Sequence, residues 1–410
     1  MILLTDKSKC CGCSACYQIC PTECITMQED NEGFLYPVIN QDECIECGKC
    51  VSACMINNEI PSRPKLKAYA GINNDDAIRD ISSSGGIFAE LAKHVIKHQG
   101  IVFGAKFNKN WEVIHDYTDK MEKVSSFYGS KYVQSNIGQS YKQAKYFLEL
   151  GRVVLFSGTP CQIAGLILFL NKKYNNLITL DFVCHSIPSP KVWKLYRKKV
   201  LYNISKENNL KESYFSHISF RSKVNGWNDF HFECIVKDAK TVIKFAESHK
   251  INPYMAAFLK DLSIRPVCTN CLVRDHKSGA DITLADFWGV EKYHSRNNRL
   301  IDNKGASIII TYTDTGNHLL KLIKENIYLI EIPYEEIEED KLHSPITKSA
   351  TKNRYRATFF NQIDKIDIEK NIKKNIRKGL LRKRRNKFLK ISIQNIIGKQ
   401  AYTKIKSKLK

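Results

Sequence analysis

Cys10, Cys13, Cys16 and Cys20 follow the spacing C-x2-C-x2-C-x3-C, with Pro21 next, and Cys44, Cys47, Cys50 and Cys54 repeat that spacing thirty-four residues on. Three thiolates on one tight loop can grip three irons of a cubane. The fourth, at the start of a helix that leads away, reaches the other cubane. The expected ligand sets are therefore Cys10, Cys13, Cys16 and Cys54 for a first [4Fe-4S] cluster, and Cys44, Cys47, Cys50 and Cys20 for a second. Zinc prefers two plus two ligands from separate loops, which two three-plus-one runs do not offer. Met55 stands where a proline would repeat the pattern. Cys11 and Cys24 fall outside the runs and read as packing, since a free cysteine behaves as a small hydrophobe.

A second group of cysteines needs a fold to gather it. Val153–Phe156 reads as a buried strand. Ser157-Gly-Thr-Pro160 then turns into a helix running to about Leu170, with Thr159 as its cap and Pro160 at its first position. Leu177–Val183 reads as the next strand, which makes a βαβ unit with a parallel pair. Ligands of open α/β sheets bind at the carboxyl ends of strands. Cys161 and Cys184, each just beyond a strand end, should meet there, and the helix N-terminus should favour a Cys161 thiolate. Cys268 and Cys271 form a further C-x2-C, ahead of a short strand within Ala280–Gly289. Two plus two thiolates can hold a cubane or a zinc ion. A third [4Fe-4S] cluster is the expectation here, because the two head clusters need an electron source or sink. Cys234 lies in an alternating strand and reads as core. Ile81–Leu91 reads as a serine- and glycine-rich cap before an amphipathic helix, whose free amides suit an anion.

Fifteen cysteines among 410 residues, behind a start with no secretory hydrophobic region, point to metal or redox chemistry rather than disulfides. A cytoplasmic location is the expectation. The 43% apolar and 26% charged composition excludes a mostly disordered chain. The longest apolar run, Ile163–Leu170, is far short of the roughly 18 residues of a spanning helix. The net charge of +22 is uneven: residues 1–60 hold nine acids against three lysines, and residues 371–410 hold fifteen Lys or Arg and no acid. An acidic head suits docking of a redox protein. Leu389, Ile393, Ile396 and Ile397 give the tail an amphipathic helical pattern, expected to lie on an anionic membrane or an acidic protein. No nucleic-acid-reading module accompanies the charge.

Residues 81–310 resemble the beta subunits of coenzyme F420-reducing hydrogenases and F420-linked formate dehydrogenases. The resemblance is carried by Ser83-Ser-Gly-Gly86, Gly129-Ser-Lys-Tyr132, Ser157-Gly-Thr-Pro-Cys-Gln162, Asp181-Phe-Val-Cys-His185, Cys268-x2-Cys271 and Ala280-Asp-Ile-x3-Asp-Phe-Trp-Gly289. A dicluster ferredoxin ahead of such a domain is similar to F420H2-oxidising proteins. The resemblance implies FAD beside one cubane. It implies FAD contacts from Ser84, Gly85, Gly86, Lys131, Gly158, Thr159, Asp286 and Lys304, and cubane ligation by Cys161, Cys184, Cys268 and Cys271. Ser186 and Ala285 stand where the family usually has glycine, which implies a modified substrate pocket.

The expected architecture is an α+β ferredoxin-like dicluster domain over residues 1–60, then an α/β flavin and iron–sulfur domain with a mixed, partly parallel sheet over 61–370. A basic tail follows over 371–410. The expected activity is that of an oxidoreductase. A hydride-carrying substrate, F420-like or another, meets FAD, which trades electron pairs for single electrons. Three clusters then connect it to a one-electron partner. His185 could supply a proton, or simply shape its turn. The alternative is a relay subunit with no substrate of its own, and related chains found beside polysaccharide-synthesis genes connect it to that biosynthesis.

Overall fold

The computed structural model describes residues 6–64, 67–293, 299–339 and 341–377. The tail residues 378–410, and with them the amphipathic pattern, lie outside the described residues. In the head, α1 (Ala15–Ile19) and α2 (Lys49–Ser52) each begin at a cysteine loop. Between them β1 (Ile25–Glu29) and β2 (Leu35–Ile39) form an antiparallel hairpin, with Ile25 opposite Ile39 and Glu29 opposite Leu35. The hairpin turn is set by Asp30, whose carboxylate accepts the N–H groups of Glu32 and Phe34 at 3.0 and 2.9 Å. Gly33 is required there twice over. Its φ is +88°, and a Cβ would lie 2.2 Å from Cβ of Lys191 in the body.

The body is built on a sheet whose described strands are β3 (Lys67–Asn73), β4 (Ile101–Phe107), β5 (Val113–Thr118), β6 (Val154–Gly158) and β7 (Leu177–Phe182), joined later in the chain by three more. A separate antiparallel sheet consists of β8 (Tyr214–Ser222), β9 (His231–Lys237) and β10 (Val242–Ser248). The main sheet is completed by β11 (Ile282–Asp286), β12 (Ser307–Thr311) and β13 (Ile327–Ile332), in the order β13-β3-β12-β11-β7-β6-β4-β5. The contiguous strands β4, β6, β7 and β11 are parallel, and antiparallel strands flank them on both sides. This is the mixed, partly parallel sheet expected from the sequence. The parallel strands are mostly apolar because both faces are covered. On one face α4 (Ile87–Lys97) sets Ile87, Leu91 and Val95 against Val102, Leu155 and Ile178. On the other, α5 (Ser140–Glu149) and α6 (Pro160–Leu170) set Tyr141, Leu148, Ile163 and Leu166 against Phe103, Val154 and Phe156.

The helix α6 begins at Pro160 and ends at Leu170, as its residues predict. A capping box fixes its start, with Gln162 Oε1 accepting the Thr159 N–H at 2.9 Å. Cys234, in β9, is fully buried and faces the core, as expected.

Head and body share cores. Ala15 and Ala53 belong to the cluster around α5 and α6, while Phe34 and Tyr36 join Trp193, Tyr254 and Phe232 under the second sheet. The side-chain oxygen of Gln18 in α1 accepts the N–H groups of Tyr141 and Lys142, two first-turn donors of α5 that have no partner within their own helix. The head is therefore a fixed part of the molecule, and residue 60 marks a change of chemistry more than of packing. Residue 371 is likewise no break in packing: residues 368–377 are helical, and Asn371, Ile372 and Asn375 are buried.

Gly165 is a tight point of this seam, since a Cβ there would lie 2.8 Å from Cβ of Cys13 and 2.9 Å from the Tyr141 hydroxyl. Gly165→Val should cost about 1–3 kcal/mol of stability by overpacking. It should also lower iron retention in the head. Thermal unfolding and iron content of one sample test both effects, and an unchanged midpoint with full iron would show that the seam is loose.

Candidate redox site

The eight head cysteines fall into two rings around separate voids. Cys10, Cys13, Cys16 and Cys54 line one, and Cys20, Cys44, Cys47 and Cys50 line the other. These are the exchanged sets expected from the spacing, each three from one run and one from the other. Cys47 is exposed, and Ile45 beside it is 65% exposed, so the second ring opens to solvent. Cys24 lines the second void with its sulfur 3.4 Å from that of Cys20. Cys11 lines the first.

In the body, the carboxyl ends of β6, β7 and β11 open on one face, as their parallel pairing requires. Cys161 follows β6, Cys184 follows β7, and Cys268 and Cys271 lie on and just after a 3-10 turn over Pro266–Asn270. The four line a third void together with Cys11 and Met55. Burial pushes the Cys184 thiol up to about 12 and raises those of Cys268 and Cys271. Cys161 is raised by its contact with the Cys11 thiol and then by burial, which outweighs the helix N-terminus that should favour its thiolate. Four thiolates can share this space only around positive charge, which a metal centre supplies. Among the described residues no three His, Cys, Asp or Glu side chains close on the point a single metal ion would occupy.

Beside this void lies a cavity of about 660 Å³, within the range of small-molecule and cofactor sites. Cys161 and Cys184 line both spaces. Ser84, Gly86, Lys131, Gly158, Thr159 and Asp286, the FAD contacts expected from the resemblance, line the cavity. Gly85 is behind the wall: its N–H donates to Ser307 Oγ at 2.9 Å, and a Cβ would lie 2.4 Å from the Gly71 carbonyl oxygen. Its glycine is required by strand-to-loop packing. Lys304 is a correction. It is away from the cavity on the surface, where its ammonium pairs with Asp76. The lysine reaching the serine loop is Lys223, which donates to the carbonyl oxygens of Arg79, Ser84 and Lys304.

Several wall residues carried no sequence signal strong enough to find them. Arg221 in β8 is buried, bonds both carboxylate oxygens of Asp286 at 2.8 and 3.1 Å, and lies over the Phe230 and Trp288 rings. Asp286 thus serves an ion pair in this structure. A buried arginine in an alternating strand was the available hint. His185 lines the cavity with Nε2 2.8 Å from Asp261 Oδ1. Burial alone would raise the Asp261 carboxyl, but hydrogen bonds from His185 and Thr351 hold it below its ordinary value. The Ser186 hydroxyl is buried without a hydrogen-bond partner and lines both the void and the cavity.

The wall suits a phosphate-bearing cofactor. Lys131 donates to the carbonyl oxygens of Ser126, Tyr128 and Gly129, and burial pushes its ammonium down to about 7. Lys223, behind the wall, is lowered to about 7 by burial and by the neighbouring Arg221 and Arg79 charges. No side chain caps the N-terminus of α4, at Gly86, so the amides of its first turn remain for an anion.

Two cysteine rings in a ferredoxin-like head, fused to an α/β body with a cofactor-sized cavity, define an iron–sulfur electron-transfer protein. Residues 151–337 match the model of the C terminus of the coenzyme F420 hydrogenase/dehydrogenase beta subunit. Residues 9–58 match a 4Fe-4S dicluster domain. The chain is 38% identical over 64 residues to a ferredoxin of Rickettsia felis, covering 16% of this chain and 54% of that one. It is 41% identical over 57 residues to NADH-quinone oxidoreductase subunit I 2 of Geobacter metallireducens, covering 13% and 44%. The chain thus spans about half the length of the curated relatives it matches. Among solved structures it is similar to a chain of the F420-reducing [NiFe] hydrogenase complex of Methanosarcina barkeri. That match has a TM-score of 0.43 and 16% identity over 70% of this chain and 89% of that one. No described helix is long and apolar enough to cross a membrane.

Two outcomes are expected at the cavity wall. Asp286→Asn strands the buried Arg221 charge and should cost about 3–5 kcal/mol, read by denaturant unfolding. For Lys131, the unfolded ammonium titrates near about 10.4 and the folded one near about 7. Between these values the unfolded chain binds the extra proton, so this group's contribution to stability rises with pH. Flavin-free Lys131→Met should therefore gain more over wild type at pH 7 than at pH 9.5. Equal gains at both would mean the lysine is not desolvated.

Proposed function

We propose that the chain binds FAD in the large cavity and a third [4Fe-4S] cluster at Cys161, Cys184, Cys268 and Cys271. It would then move electrons between a hydride-carrying substrate of the F420 type and one-electron partners. The observation that supports this best is continuity. Cys161 and Cys184 are common walls of the cavity and the body void, and Cys11 and Met55 are common walls of the body void and the first head void. A bound FAD would exchange an electron pair with the substrate and single electrons with iron.

The chain's own residues have separate tasks in this reading. Ser84, Gly86 and the start of α4 meet the pyrophosphate, with Lys131 supplying positive charge. Trp288, stacked 4.3 Å from Trp227, and Phe230 give a flat wall for a ring system. Asp261 fixes the His185 ring at the edge nearest Cys184, where a proton can enter or leave with the electron pair. A relay without a substrate has no use for a cavity of this size, which is why the enzyme reading is preferred. The acidic head, open at Cys47, is the proposed meeting place for the redox partner.

Anaerobic purification should give about twelve irons and one flavin per chain, from three cubanes. Cys184→Ser should fall toward about eight irons and leave the head clusters' spectra intact. Reduced F420, NADH and reduced ferredoxin, offered in turn, should differ in how fast they bleach the visible spectrum. Wild-type protein with about eight irons and no flavin would overturn the proposal.

A further inference from the structure

Arg265 is fully buried at the junction of head and body, and its main chain and side chain serve different halves of the molecule. Its main chain belongs to the body void. Its N–H donates to the Ile187 carbonyl at 2.8 Å, and its own carbonyl accepts the Cys268 N–H at 3.1 Å. Its side chain belongs to the head. Nε donates to the Cys10 carbonyl at 2.7 Å and Nη2 to the Leu35 carbonyl at 2.8 Å, while Nη1 reaches Gln134 Oε1 at 3.0 Å. Nη2 also lies 3.8 Å from the Cys10 sulfur. The guanidinium covers the Tyr36 ring at 4.2 Å. The cysteine loop closes around it: a Cβ on Gly12 would lie 2.6 Å from Nη1.

All these oxygen partners are uncharged. The nearby head acids are engaged elsewhere, Asp30 by the amides of the hairpin turn and Glu32 by Arg356. A fully buried guanidinium with satisfied donors but no carboxylate still carries an uncompensated desolvation cost unless negative charge lies close by. A cubane held by four thiolates is a net anion, and more so when reduced.

We propose that Arg265 is the fixed counter-charge of the first head cluster and, more weakly, of the body cluster, and that it raises their reduction potentials relative to the second head cluster. The body-cluster half rests on the proposed function; the head-cluster half needs only the dicluster domain. Net charge and hydrogen bonds near the sulfurs are the levers by which a protein sets such potentials. Arg265 acts on the cluster through space and through the Cys10 loop, so it is a positioning and tuning residue.

The test is an EPR-monitored redox titration of the full anaerobic chain as wild type, Arg265→Lys, Arg265→Gln and Gln134→Glu. Arg265→Gln should shift the reduction equilibrium of the first cluster about tenfold toward the oxidised form, which for one electron is about 59 mV. The body cluster should move less and the second head cluster least. Arg265→Lys should keep most of the wild-type potential. Gln134→Glu leaves the arginine in place and sets a carboxylate against it, so it should shift the first cluster in the same direction even if Arg265→Gln does not hold iron. Wild-type potentials in fully loaded Arg265→Gln or Gln134→Glu would overturn the proposal. A wild-type spin count of two clusters would instead overturn the third-cluster reading, while the response of the first cluster still decides the role of Arg265.

Discussion

Buried sulfur is the constraint around which this molecule is arranged. A thiol in an apolar interior resists ionisation, and neighbouring thiolates resist it further. Rings such as that of Cys161, Cys184, Cys268 and Cys271 are therefore poor places for four anions and good places for a cationic iron–sulfur core. The surrounding architecture is the means of forcing sulfurs from positions more than one hundred residues apart into one ring. Parallel strands do this economically, because every parallel strand delivers its following loop to the same edge of the sheet. β6 and β7 bring Cys161 and Cys184 there, and β11 brings the Asp286 loop that closes the neighbouring cavity.

Much of this was legible in the residues. The head runs carry their own geometry, so the crossed ligand sets follow from spacing alone, and the voids are ringed by those sets. The βαβ unit around Cys161 was legible because capping chemistry, a proline at the first helical position and two short apolar strands all agreed. Legibility failed where a residue's role depends on what packs against it. Lys304 and Lys223 are both lysines near a glycine-bearing loop. Only tertiary structure decides that Lys223 turns inward to three carbonyls and Lys304 outward to Asp76. Gly85 looked like a place of ligand approach, and the Gly71 carbonyl occupies that space instead. Cys11 read as packing from sequence, and Met55 as a stand-in for a proline of the repeated run. Their sulfurs, 3.6 Å apart, form the partition between two cysteine rings.

The cavity wall shows a related division of labour. Charges that face it are already committed to other groups, Arg221 to Asp286, His185 to Asp261, and Lys131 to three carbonyl oxygens. Such commitments fix side chains before a ligand arrives, which lowers the ordering cost of binding. They also mean that specificity rests on shape and ring stacking as much as on free charge.

The packing of α6 against Cys13 bears on how the head can work. Many carriers deliver their cargo by swinging on a tether, and their speed is then set by diffusion of the arm. Here Gly165, Gln18, Phe34 and Tyr36 bolt the head down at several points. The intervals between neighbouring rings are frozen into the fold. In the proposed reading, traffic along them would be governed by the driving force between adjacent stations, and a redox partner would have to travel to the open end beside Cys47.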